Sequence, residues 1–71
     1  MCLAIPGRIV RIEGETAIVD FDGIRKNVNL ALVDAKVGDY IVANAGYAIK
    51  TLSNESAQES IKLFKQAAKN Q

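Results

Sequence analysis

Asp22-Gly23 stands between two stretches in which apolar residues fall on alternate positions: Ala17, Val19 and Phe21 before it, and Ile24, Val28 and Leu30 after it. A two-residue connection matches the right-handed twist of its flanking strands when both central residues take positive φ, and Asp-Gly accepts that geometry readily. The chain therefore folds back on itself here. Residues 16–21 form one strand and residues 24 to about 30 the next, with Arg25, Asn27 and Asn29 outward and Lys26 the one breach of the inward face. A long aliphatic stem lets such a lysine cover apolar surface while its ammonium reaches water.

The same punctuation runs along most of the chain. Residues 8–13, rich in β-branched side chains (Ile9, Val10, Ile12), make a first strand that stops at Gly14. The stretch 31–36 is too short to decide between helix and strand and is a connection. Val37-Gly38-Asp39 is a turn, residues 40–45 a fourth strand and residues 47–52 a fifth, with Gly46 a bend or bulge between them. After Ser53, a good N-cap, the period changes. Ala57, Ile61, Phe64 and Ala68 recur at helical spacing, with Glu55 and Glu59 early and Lys62, Lys65 and Lys69 late, as the helix dipole favours. No repeat or linker interrupts this order, so residues 1–71 form one domain, with strands within about 7–52 and a helix over about 54–69. Five short strands with two open edges invite aggregation, and closing them into a barrel removes the edges. The expected fold is mainly β: a small OB-like five-stranded barrel with a C-terminal α-helix. The helix offers its Ile61 and Phe64 face either to the barrel or to a partner.

Composition limits what such a barrel can do. With 71 residues, 49% of them hydrophobic, the chain builds a core, but a domain of this size buries only about 60% of its unfolded surface and leaves little volume for an enzymatic pocket. There is no His, which excludes His-based triads and His-bearing zinc sites and leaves no side chain with an ordinary pKa near neutrality. A net charge of +1 disfavours a protein that tracks nucleic-acid phosphates. No apolar run reaches the roughly 18 residues of a membrane span, and the opening residues lack a basic n-region, so neither a membrane anchor nor a signal peptide is expected. One cysteine cannot form an intramolecular disulfide, and the compartment reads as reducing and cytoplasmic.

That cysteine, Cys2, is the residue that could carry chemistry. If Met1 is removed, the thiol lies beside an α-ammonium group, and a neighbouring positive charge favours the thiolate that attacks or binds metal. A soft thiolate suits iron, zinc or copper(I), yet one sulfur is one ligand where protein metal sites generally use three or four. The remaining ligands come from the adjacent backbone and amine or from a second protein. Pro6 and Gly7 set how this end leaves the barrel, since Pro biases Ile5 toward an extended conformation and Gly7 permits a turn.

The residues Met1-Cys2-Leu3-Ala4-Ile5-Pro6-Gly7 resemble the opening of the HypC/HupF family of hydrogenase-assembly chaperones. Val19-Asp20-Phe21-Asp22-Gly23-Ile24, Val28-Asn29-Leu30 and Val37-Gly38-Asp39-Tyr40-Ile41-Val42 follow the family's strands, and Gly46-Tyr47-Ala48 is similar to its Gly-Phe-Ala element. The resemblance implies an OB-like, non-enzymatic scaffold that works with the iron–sulfur protein HypD and the hydrogenase large-subunit precursor. It implies no permanently bound cofactor, but a transient iron carrying cyanide and carbon monoxide, held in part by Cys2 and in part by HypD until that Fe(CN)2CO fragment is delivered. Cys2, Leu3, Ile5, Pro6 and Gly7 are then the partner-binding residues, with Asn44, Gly46 and Tyr47 as possible supporting positions. Asn44 stands where the family commonly has a His. A carboxamide hydrogen-bonds but does not replace an imidazole as ligand or proton carrier. The alternative reading is a small OB-fold nucleic-acid-binding protein, for which two Phe and two Tyr supply few stacking surfaces.

Overall fold

The computed structural model describes residues 5–69. Five strands, β1 (Gly7–Glu13), β2 (Thr16–Phe21), β3 (Ile24–Asn29), β4 (Tyr40–Asn44) and β5 (Tyr47–Leu52), precede one helix, α1 (Asn54–Lys69). The strands close into a barrel in the order β1-β2-β3-β5-β4, with β4 returning to β1. Mainly β, five-stranded, OB-like and followed by one helix, the architecture is the one the turn signals specify, with strand ends moved by about a residue.

Two tight hairpins do much of the folding. At Asp22-Gly23 φ is 54° and 94°, the positive pair that the turn demands, and the Asp20 carboxylate accepts the Gly23 N–H at 2.6 Å. Gly46, expected as a bend or bulge, belongs instead to a second two-residue hairpin in which Ala45 also takes positive φ, at 55°. The bulges lie elsewhere. Val10 is an extra residue in β1, between the pairs Ile9↔Val19 and Arg11↔Ile18, and Ile49 is an extra residue in β5, between Val42↔Lys50 and Ala43↔Ala48. Each shifts the two-residue period by one. That is how Ile9 and Ile12, three apart, both pack on the interior.

The core is Ile9, Ala17, Val19, Val28, Leu30, Ile41 and Ala48, flanked by partly buried Ile12, Phe21, Val33, Ala35 and Ala43. The connection between β3 and β4 lends Val33 and Ala35 to this core, and its far end joins β1, where Ile9 donates to the Asp39 carbonyl at 2.9 Å.

Two expectations change. Ile24, placed inward by alternation, is 62% exposed. The reason is topological: β5 meets β3 only at Asn29↔Tyr47, so no strand faces the first half of β3 among the described residues, and Ile24 and Lys26 open onto solvent. In α1, Ser53 Oγ caps the helix by accepting the Ser56 N–H at 3.1 Å, as its position suggests. Of the expected stripe, Ala57 is buried and Ile61 half-buried on the barrel side, where Gln58 and Lys65 join them, while Phe64 is 38% exposed. Gln58 donates to Tyr40 Oη at 2.9 Å and Lys65 pairs with Asp22 at 3.2 Å, which turns Phe64 to the flank. No described helix is long and apolar enough to cross a membrane.

Candidate functional site

The site is built where β1 begins. Gly7 pairs with Ile41 of β4, and Arg8 with both Tyr40 of β4 and Asp20 of β2, so the start of β1 is held on both edges. Gly7 has no room for a side chain: a Cβ there would lie 2.5 Å from Phe21 Cε1 and 2.5 Å from Val19 Cγ1. Pro6 is buried as well, and Ile5 is half-buried. Ile5 and Pro6, just before β1, are therefore anchored by packing.

Ile5 borders two grooves. One, of about 460 Å³, runs between the start of β3 and the β4–β5 hairpin, with Phe21, Ile24 and Val28 on one side and Ala43, Asn44 and Gly46 on the other. Its apolar floor carries one cation, Lys26, and no carboxylate. The other, of about 310 Å³, lies between α1 and the outer surface of β1, β2 and β4, and is polar: Arg8, Asp20, Asp22 and Lys65 line it.

The structure thus brings Ile5, Asn44 and Gly46 to one groove, while Pro6 lines the groove beside α1 and Gly7 is buried against Val19 and Phe21. Asn44 is exposed at the end of β4, where its carboxamide can hydrogen-bond to whatever occupies the groove. Tyr47, 43% exposed, begins β5 and does not line this groove. Cys2 and Leu3 lie outside the described residues. Among the described residues no three His, Cys, Asp or Glu side chains cluster as a metal cage. Ile24 and Lys26 are groove residues that sequence patterning places on the inward face, and Phe21 packs on the core and also lines the groove. The one signal that could have found them is Lys26 itself, a charge at an inward register position of a strand.

The family model described as HupF/HypC matches residues 1–64, which takes in the opening segment, all five strands and most of α1. The chain belongs to the HupF/HypC family. Among its relatives are proteins named hydrogenase maturation factor HypC. The one from Cupriavidus necator is 46% identical over 66 residues, covering 90% of this chain and 73% of the relative. That from Synechocystis is 41% identical over 68 residues, covering 86% and 90%. That from Escherichia coli K12 is 31% identical over 68 residues, covering 86% and 76%. Membership in the HupF/HypC family rests on the chain as a whole, not on the opening motif alone.

Proposed function

We propose that this HupF/HypC protein is a non-catalytic chaperone of hydrogenase maturation that holds an iron fragment bearing cyanide and carbon monoxide together with HypD and hands it to the hydrogenase large-subunit precursor. The match across residues 1–64 is the observation that carries the reading, because it joins the Cys2 motif to the barrel in one family. In this reading the Cys2 thiolate is one ligand of the cargo iron. Binding displaces its proton, and the soft sulfur suits low-spin iron better than a hard oxygen donor would. A single thiolate holds the fragment incompletely, and the ligand that HypD adds makes retention depend on the complex. Release to the precursor then needs only the exchange of a few ligands.

The barrel's contribution is position. Pro6 and Gly7 are buried, Gly7 against Val19 and Phe21, and so fix the chain four to five residues after Cys2, with half-buried Ile5 offering apolar surface beside them. Asn44, at the rim of the same groove, supports the cargo or the arm by hydrogen bonding and leaves ligation to sulfur. Nothing in the groove favours a nucleic acid, whose backbone would need more than one lysine. A strain whose only copy carries Cys2→Ala tests the proposal: the variant accumulates as a folded protein while the large subunit remains without its iron fragment. Normal hydrogenase activity in that strain would refute it.

A further inference from the structure

The backbone of β3 carries a binding feature that the cysteine does not explain. In a two-residue hairpin the residues flanking the turn exchange both backbone hydrogen bonds, and bonding alternates from there. Phe21 and Ile24 flank the turn, so Ile24, Lys26 and Val28 direct their N–H and C=O groups toward β2, while Arg25, Asn27 and Asn29 direct theirs to the opposite edge. Asn29 follows this rule and donates to the Gly46 carbonyl at 2.8 Å. Arg25 and Asn27 have no strand beside them among the described residues, because the β3–β5 ladder is the single pair Asn29↔Tyr47. Both are exposed. Two residues therefore present two N–H and two C=O groups at β-strand spacing along the open edge of β3, and Asn27 lines the larger groove there.

Such an edge is a template for another extended backbone. The groove beside it sets what that backbone carries: Ile24 and Ile5 give apolar contacts, and Lys26 is a cation with no carboxylate lining the groove to neutralise it. We propose that this edge receives an extended segment of a partner protein by strand addition, with apolar side chains at alternate positions and a carboxylate over Lys26. The identity of the partner rests on the maturation reading above, and docking here places it next to Ile5, three residues from Cys2 in the sequence.

The test separates backbone recognition from side-chain recognition. Asn27→Pro removes an N–H that faces the groove and leaves the β2 ladder intact, as edge strands tolerate; Asn27→Ala keeps the N–H. Affinity is measured for purified HypD and, separately, for the large-subunit precursor, alongside residue-level amide hydrogen exchange of the native chain free and bound. The expected result is that Asn27→Pro weakens one of the two complexes by about tenfold, the loss of one or two hydrogen bonds. Asn27→Ala stays within about twofold of the native chain, a surface effect of at most a few tenths of a kcal/mol. The Arg25 and Asn27 amides exchange quickly in the free chain and slow down in that complex, a readout that holds even if the proline variant folds poorly. Equal affinities for the two variants, with no slowing of these amides, would overturn strand addition but leave the maturation reading standing. Absence of any complex with the native chain would overturn both. Slow exchange already in the free monomer, or a dimer that Asn27→Pro dissociates, would assign the edge to the chain's own arm or to a second copy and overturn the proposal.

Discussion

Replacing Gly7 by Ala tests whether the base of the amino-terminal segment is held by packing. The added Cβ would sit 2.5 Å from Phe21 Cε1, 2.5 Å from Val19 Cγ1 and 2.6 Å from Phe21 Cδ1. Carbon atoms in contact settle at about 3.5–4.0 Å, so the overlap is about 1 Å on two side chains at once. Val19 is fully buried and cannot swing away. The alternative is for β1 to move, yet its contact with β4 is only the pairs Gly7↔Ile41 and Arg8↔Tyr40 and the bonds that follow at Ile9. Overpacking of this kind costs about 1–3 kcal/mol. In a domain of this size each kcal/mol lowers Tm by about 4–8 °C, so a fall of about 4–24 °C is expected. Urea unfolding followed by circular dichroism gives the free energy, and calorimetry the Tm. If the contact is the cause, Phe21→Leu in the Gly7→Ala background recovers part of the loss, and the two substitutions are not additive. A loss below about 0.5 kcal/mol, the range of an ordinary surface change, would refute the packing argument.

Three further outcomes follow from local geometry. Ala45 is held at φ 55°, where a β-carbon is strained, so Ala45→Asn raises stability by about 0.5–1 kcal/mol, read as a higher urea midpoint. Ser53→Ala removes the cap on the Ser56 N–H and costs about 1 kcal/mol of helix stability, visible as faster amide exchange in the first turn of α1. Ile61→Glu strips the half-buried apolar anchor of α1 and loosens the helix by about 1 kcal/mol, while Leu63→Glu, at a position already 62% exposed, leaves helix exchange unchanged.

How far the sequence discloses this fold depends on the range of the signal. Asp22-Gly23 and Ser53 are local devices, readable because two or three neighbouring residues contain the whole cause. Alternation also names the inward face of β2 correctly, since β1 and β3 flank it along its whole length and their side chains close the core around Ala17 and Val19. It fails at Ile24 because alternation reports which way a side chain points and not whether another strand arrives to cover it. The bulges at Val10 and Ile49 show only as adjacent apolar pairs, Ile9-Val10 and Ala48-Ile49, which interrupt the alternation without naming the extra residue. Phe64 lies on the flank because Gln58 and Lys65 find polar partners on Tyr40 and Asp22, a pairing between elements distant in the chain. As for the site, Gly7, expected to permit a turn, is a paired residue of β1, and what requires glycine there is the closeness of Phe21 and Val19, which no local signal gives. The groove that joins Ile5 to Asn44 and Gly46 was not legible either, because it arises from the gap between β3 and β5.

The central claim is that Cys2 holds an iron fragment jointly with a partner. The most direct measurement is infrared spectroscopy of the chain co-purified with HypD under anaerobic conditions, in the region where cyanide and carbon monoxide stretch, on the native chain and on Cys2→Ala. Bands present in the native complex and lost in the variant, with the variant still folded and still bound to HypD, are the predicted result. Bands of equal strength in both would contradict the claim and place the iron entirely on the partner.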